Sequence, residues 1–266
     1  MSRSALLIYD PIDIPRNGWF IEELIKNAHL HDISMRLMTS DAPRPADIPA
    51  LMLNRSRDAS WSEWGEANGV RVCNSAAVTA ITNDKLRTYA YLHGEFGVPM
   101  AKSWAADTDL SKLPMPIVCK PCGGHGGKDV RLISDIQTLT SVLEQAKSPY
   151  LLQEPVVFGW DVRVYILGGE IYAAVLRTSD CDFRSNFSLG GKAELFSPDA
   201  EMRKLAAQIQ EIMPLDFAGI DFLRRPEGGY VLGEIEDAVG CRMLYALTAL
   251  DPAADLIRYA ASLLKK

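Results

Sequence analysis

The sequence predicts a mixed α/β and α+β chain, with an open α/β unit leading into a strand-rich remainder. Three observations carry this. Strand-like and helix-like hydrophobic periods alternate along the chain. Two glycine turns, Gly168-Gly169 and Glu227-Gly228-Gly229, sit between strand-like runs and signal hairpins. Finally, 266 residues with 48% apolar and 23% charged content can build one large or two small cores, with none of the bias of a disordered, collagen-like or disulfide-framed chain.

Ala5–Tyr9 reads as a short buried strand. Trp19–Ala28 carries Phe20, Leu24 and Ala28 at helical spacing, with Ile21 and Ile25 alongside. Ser34–Met38, Leu51–Leu53 and Val70–Cys73 read as strands, and Asn74-Ser75 as a helix start. Asp41–Pro49 holds three prolines and reads as a loop. Thr82-Asn83-Asp84 offers N-cap residues to a helix over Lys85–Phe96, which Gly97-Val98-Pro99 stops.

A second stretch follows Ala101. Its strands are Ile117–Lys120, Val130–Ile133 and Tyr150–Glu154, with a glycine loop at Gly123–Gly127 and a helix over Asp135–Ala146. Asp161–Leu167 and Glu170–Arg177 flank the first glycine turn, and Phe217–Leu223 and Tyr230–Glu236 flank the second. Between the hairpins lie a polar loop, Thr178–Gly191, and a helix, Asp199–Ile212; Pro252–Leu264 reads as a final helix. Boundaries are expected near residues 83 and 155, giving units 1–82, 83–155 and 156–266.

The formal charge of −6 argues against a nucleic-acid partner, because neutralising a phosphate backbone needs a basic face. Phosphate ligands remain open, since they need only a few local cations. No apolar run approaches the ~18 residues of a membrane span, and Met1–Asp10 lacks a signal-peptide pattern. A cytoplasmic protein off the membrane is expected, with its five scattered cysteines reduced and its oligomeric state open. Cys119-Lys120-Pro121-Cys122 has no second ligand pair for zinc, and His29, His31, His93 and His125 are dispersed.

Three constellations carry chemistry. Lys120 ends a buried strand, and Pro121-Cys122-Gly123-Gly124-His125-Gly126-Gly127-Lys128 follows. Glycines let backbone N–H groups wrap a polyphosphate, and the lysine adds a point charge. No Gly-Lys-Ser/Thr opens a helix here, and a strand follows the loop, so neither a Walker A nor a dinucleotide fingerprint is present. The plain alternative is a flexible hairpin. In the second constellation, Glu234 and Glu236 share one face of a strand and Asp221 lies on the preceding one. Three such acids repel unless a cation joins them, and hard oxygens suit Mg²⁺; the alternative is a solvated outer face. The third comprises Arg177, Asp182, Arg184 and Asn186, residues for binding carboxylate or phosphate or else a surface loop. Asp161 and Arg163 share a strand face, where they pair with each other or face a site.

These residues resemble the ATP-grasp superfamily, specifically the RimK-like carboxylate–amine ligases. The shared run takes in Asn83-Asp84-Lys85, Gly97-Val98-Pro99, Val118-Cys119-Lys120-Pro121 with its glycine loop, and Gln153-Glu154. It continues through Gly159-Trp160-Asp161-Val162-Arg163-Val164, Phe183-Arg184-Ser185-Asn186 with Gly190-Gly191, Ala218-Gly219-Ile220-Asp221 and Glu234-Ile235-Glu236. It covers roughly the last two-thirds of the chain, and the first third fits the short leading domain loosely.

The resemblance implies an ATP-grasp fold with a short N-terminal α/β domain, and a nucleotide held between two α+β units, the 83–155 unit supplying a lid. It places Lys85 and Lys120 on the ATP phosphates, with the loop glycines Gly123, Gly124, Gly126 and Gly127 and with Gln153 in the same nucleotide site. Glu154 and Pro155 fall at the adenine hinge and Asp161 on the ribose side, while Arg184, Ser185 and Asn186 match nucleotide contacts. Arg177 faces the acyl phosphate and, with Arg184, is catalytic by that likeness. Asp221, Glu234 and Glu236 take Mg²⁺ (or Mn²⁺), as two ions. Glu236 stands where the family usually has Asn, and Ala238-Val239-Gly240 replaces its proline segment.

The implied activity is an ADP-forming ligase. It joins a carboxylate to an amine through an acyl phosphate, adding glutamate or another amino acid to a small-molecule or peptide acceptor. The alternative is a nucleotide-binding regulatory relative without turnover. A dinucleotide-binding oxidoreductase is disfavoured by the missing fingerprint.

Overall fold

The computed structural model describes residues 3–124, 126–180 and 191–264. The chain opens with four parallel strands, β1 (Arg3–Tyr9), β2 (Ile33–Thr39), β3 (Leu51–Asn54) and β4 (Arg71–Cys73), in the order β2-β1-β3-β4. β3 is buried throughout and β1 over its last five residues, so both read as continuous apolar runs, as parallel strands covered on both faces do. Helix α1 (Ile14–Leu30) starts with Pro15 in its first turn and buries Phe20, Ile21, Leu24 and Ala28 against the sheet. It extends the expected helix at both ends.

Helix α2 (Ala59–Ala67) was not anticipated. Its buried face is Trp61, Ser62 and Gly65, which makes no apolar stripe. Gly65 lets it lie close on the sheet: a Cβ there would meet Val72 Cγ2 at 2.7 Å. The available signal was Asp58, whose side chain caps Ser60 N–H.

After β4, Asn74 ties this sheet to the C-terminal part. Its Oδ1 accepts the Asp216 and Phe217 N–H groups (2.8 and 3.0 Å), and its Nδ2 donates to the carbonyls of Phe217 and Asp237 (2.8 and 3.1 Å). Ser75 caps α3 (Ala76–Thr82), and Asp84 caps α4 (Lys85–Thr88). The expected single α-helix to Phe96 is corrected: the chain continues over Tyr89–Glu95 in wider, π-type turns. Thr88 Oγ1 donates back to the carbonyls of Ile81 and Asp84, a bond that competes with the regular helix ladder.

The second sheet is antiparallel, ordered β5-β8-β6-β7, from β5 (Ser103–Ala105), β6 (Ile117–Pro121), β7 (Arg131–Ile133) and β8 (Tyr150–Gln153). With α5 (Ile136–Glu144), capped by Asp135, it encloses its own core of Leu113, Ile117, Cys119, Ile133, Leu139 and Leu152. The three-residue β5 was missed, being too short to show a period.

The third sheet, ordered β11-β10-β9-β12-β13, is antiparallel throughout: β9 (Trp160–Leu167), β10 (Glu170–Thr178), β11 (Lys192–Leu195), β12 (Phe217–Arg224) and β13 (Tyr230–Glu236). Helix α6 (Ala200–Ile212), capped by Asp199, lays Met202, Leu205, Ala206 and Ile209 on one face of it. The short α7 (Arg242–Leu247) follows β13, and α8 (Pro252–Leu263) packs on α1, sharing a core with Phe20, Leu24 and Ala28. β11 and α7 were also unanticipated, at four and six residues.

Turn geometry sets the registers that matter. Gly168 and Gly169 both have positive φ (61° and 88°), as a two-residue hairpin turn requires, and Arg177 falls directly opposite Asp161. Across β12 and β13, Phe222 pairs with Leu232 but Asp221 with Glu234 and Gly219 with Glu236. Gly233 is therefore an extra, bulged residue. In an unbroken register Glu234 and Glu236 would oppose Ile220 and Ala218 and point to the α6 face. The bulge turns both glutamates to the face of Asp221.

Candidate active site

That face of the third sheet carries Asp161 and Arg163 from β9, Arg177 from β10, Asp221 from β12, and Glu234 and Glu236 from β13. Oxygens of Asp221, Glu234 and Glu236 lie within 4.8 Å of one another. Two oxygens on opposite sides of an octahedral Mg²⁺ are about 4.2 Å apart, so a small contraction closes the cluster on an ion. Asp221 is buried and the two glutamates half-buried, which replaces the solvated-face alternative with an enclosed site.

The repulsion expected among the three acids is corrected by the protein's own cations. Arg163 grips Asp221 with Nε and Nη2, each at 2.7 Å, and reaches Glu236 with Nη1 at 2.7 Å. Arg177 donates Nη2 to Asp221 at 2.7 Å and Nε to Asp161. Lys85 lies 3.2 Å from Glu234 and donates to the Gly124 carbonyl. Asp161 and Arg163 thus pair with other residues, not with each other. Arg163, recognised only as sharing a strand face, turns out to be the centre of the network. Gly219 makes room for it: a Cβ there would meet Val239 Cγ2 at 2.7 Å and Arg163 Cδ at 3.3 Å.

The electrostatics follow from burial and these partners. Burial would raise the Asp221 carboxyl, but Arg163 and Arg177 outweigh it and hold it at about 2. Burial also works against Glu234, yet Lys85 keeps it below its ordinary value. Glu236 is raised, because burial outweighs its one strong partner, Arg163. Lys120 is pushed down to about 8 by burial and by Lys85, against the pull of Glu234.

One cavity, about 140 Å³, opens between the second and third sheets. Of the residues singled out from sequence, Lys85, Lys120, Gly124, Gly127, Gln153, Glu154, Asp161, Arg177, Asp221 and Glu234 line it. Gln153 is held there by Ser103 Oγ at 2.9 Å, and Glu154 bonds the Lys102 backbone through both its N–H and its carboxylate. Gly123 and Pro155 are not among the lining residues. Gly126 and Glu236 line a second cavity of about 350 Å³, and Arg177 lines both. Arg184, Ser185 and Asn186, with Asp182 and His125, lie outside the described residues. Sequence reasoning missed the second cavity's Tyr9, Arg16, Arg55, Arg57 and Arg242. The one signal was the position of Arg55, just past a strand of the leading sheet.

The model of the RimK-like ATP-grasp domain matches residues 101–260. The chain belongs to the RimK-like ATP-grasp family. Human beta-citrylglutamate synthase B is 33% identical over 231 residues, which cover 82% of this chain and 60% of that protein. A probable alpha-L-glutamate ligase 2 from Hahella chejuensis is 31% identical, covering 73% of this chain and 67% of its own. This ATP-grasp chain thus spans only part of the length of both relatives. Among solved structures, a D-alanine–D-alanine ligase from Bacillus anthracis superimposes with a TM-score of 0.76 over 100% of this chain and 99% of its own; at 16% identity this shows the fold. The expected fold and enzyme class, an ATP-grasp ligase forming a carbon–nitrogen bond, agree with these matches. No helix among the described residues is long and apolar enough to cross a membrane.

Proposed function

We propose that this chain joins a carboxylate to an amine at the expense of ATP, through an acyl phosphate, with glutamate as the amine. The observation that carries the reading is the adjacency of two cavities that share Arg177: one holds lysines, the glycine loop and acids, the other is lined by arginines and opens onto Glu236. In the first, Lys85 and Lys120 neutralise ATP phosphates beneath the Gly123–Gly127 loop, with Glu154 and Pro155 at the adenine edge and Asp161 toward the ribose. Arg184, Ser185 and Asn186 belong to the same nucleotide site by the family likeness. Residues 83–155 supply a linker helix and, from about residue 100 onward, the lid. Asp221, Glu234 and Glu236 hold Mg²⁺ (or Mn²⁺), as two ions, which supply charge neutralisation for the phosphoryl group.

The chemistry needs alignment and charge cancellation more than a covalent nucleophile. An oxygen of the substrate carboxylate attacks the γ-phosphorus, and ADP leaves. The amine nitrogen then attacks the acyl carbon, phosphate leaves, and the nitrogen gives up a proton. Arg177, with Nε on Asp161 and Nη2 on Asp221, presents Nη1 to the acyl phosphate. The two acids fix the guanidinium plane, so its orientation is set before substrate arrives. A cytoplasmic setting is supported by the free, buried thiols of Cys73, Cys119, Cys122 and Cys241.

The test is a screen of acids against amines, read by ADP and phosphate release with mass spectrometry of the products. Tight nucleotide binding without ADP release for any pair would favour the regulatory reading instead. Lys120 gives a second check. Phosphates bind its charged form, and in the free protein half of that charge is lost near pH 8. ATP affinity should therefore fall above pH 8, and binding at that pH should take up a proton, visible calorimetrically in buffers of different ionisation enthalpy. Lys120→Ala should weaken ATP binding by about 1.5–3 kcal/mol and abolish the proton uptake. Unchanged affinity and proton balance would leave the glycine loop a plain hairpin.

A further inference from the structure

The second cavity lies at the C-terminal ends of β1 and β3. In the order β2-β1-β3-β4, the chain runs from β1 toward one edge and from β3 toward the other. The gap between those strand ends is a topological switch point, where an open parallel sheet leaves a crevice for a ligand. Tyr9 ends β1 there, and Arg55 follows β3.

Arg55 is only 7% exposed, and it lines the cavity. Its Nε donates to Tyr9 Oη at 2.8 Å and its Nη2 to the Val239 carbonyl at 2.7 Å. The rings of Phe20 and Phe217 lie 5.2 and 5.8 Å from its guanidinium carbon. All of these partners are neutral. Among the described residues, no carboxylate forms an ion pair with it; Asp237 acts on it only through space, its Oδ1 being bonded by Asn83. The other cations at this cavity differ. Arg16 and Arg57 are paired with Asp10 and Asp13, and Arg242 is exposed and donates to the Arg16 carbonyl. A buried guanidinium with no carboxylate in direct contact lacks the ion pair it favours, and a ligand carboxylate would supply that contact.

Arg55 is also coupled in space to the reacting end. Val239, whose carbonyl it holds, packs against Gly219 beside Arg163, and Arg163, Arg177 and Glu236 line the same cavity. We propose that Arg55 binds a second, non-reacting carboxylate of the acid substrate, so that the enzyme selects small di- or tricarboxylates over monocarboxylates. This rests on the ligase reading for its placement of the acid, but not for its test.

The test is calorimetry on the whole chain with Mg²⁺ and a non-hydrolysable ATP analogue, using succinate, citrate, butyrate and glutamate as probes. Succinate or citrate should bind at least tenfold more tightly than butyrate. Arg55→Gln should lower that affinity at least tenfold, Arg55→Lys should recover part of it, and the affinity for the nucleotide analogue should stay unchanged in both. Butyrate binding as tightly as succinate and citrate, or no binding of either diacid or triacid, would overturn the proposal with no variant needed, so a failure of Arg55→Gln to fold does not shelter it. A loss confined to glutamate would also overturn it, by placing Arg55 on the amine substrate. Binding that depends on Arg55 without ADP release for any acid–amine pair would sink the ligase reading and leave this one standing.

Discussion

Glu234→Gln is expected to lower magnesium- and ATP-dependent turnover by about 10²–10³-fold while the protein stays folded. Glu234 stands opposite Asp221 and takes the charge of Lys85 at 3.2 Å. The amide keeps its shape and one acceptor oxygen but removes a negative charge from the carboxylate cluster. An ion held by these carboxylates would lose most from that change during phosphoryl transfer, when the negative charge it would neutralise is greatest. Glu236→Asn should retain turnover, since an amide oxygen is the family's usual ligand at that position. ADP release at saturating ATP, with thermal unfolding as the folding control, checks both. Full magnesium-dependent turnover in Glu234→Gln would remove the metal site from this cluster.

Arg163→Met should cost about 3–5 kcal/mol of stability, more than its two visible partners suggest. Asp221 loses two of its three guanidinium bonds and Glu236 its arginine, and both acids stay enclosed. The sign of the pH dependence follows from Asp221. Its carboxyl sits at about 2 in the folded protein, below its unfolded value of 3.8. Its ionised form therefore contributes stability above pH 3.8, which is lost as pH falls toward 2. The deficit of Arg163→Met should accordingly be largest at neutral pH and shrink toward pH 2. Combining it with Asp221→Asn should restore part of the loss, since the orphaned charge goes with its partner. Urea unfolding of the single and double variants at pH 7 and pH 3 measures this. A deficit independent of pH, or no deficit at all, would mean that Arg163 is a packing residue.

Magnesium bound at this cluster would stabilise the fold less than it would stabilise three bare carboxylates. Arg163, Arg177 and Lys85 already balance them before any ion arrives. An ion bound there would exchange with these cations more than it would relieve repulsion, so the larger rise in thermal stability is expected from magnesium together with nucleotide.

How much was legible depended on the range of the interactions. Elements with a long stripe or a strong cap could be read directly: α6 behind Asp199, α8 behind Asp251-Pro252, and the hairpin at Gly168-Gly169. Helix α2 could not, because its buried face uses Ser62 and Gly65 to approach the sheet, and that approach depends on Met52 and Val72 in the flanking strands β3 and β4, a contact the helix's own periodicity does not show. β5, β11 and α7 are held by pairing and packing with distant partners, and three to six residues are too few for a period to stand out.

The site divides in the same way. The chain by itself determined that Glu234 and Glu236 share a strand face, that a lysine precedes a glycine loop, and that Asp221 lies on the preceding strand, because those are matters of local spacing. Only the tertiary structure decided that the three acids meet. One bulged residue, Gly233, turns the glutamates from the α6 face to that of Asp221, and this register depends on how β12 and β13 pair. Only the tertiary structure, likewise, brought Arg163 from β9 and Arg177 from β10 onto Asp221, and set Arg55, from the leading sheet, beside Val239. A buried charge is settled by whichever partner the fold places within hydrogen-bond reach, and no local pattern of residues names that partner.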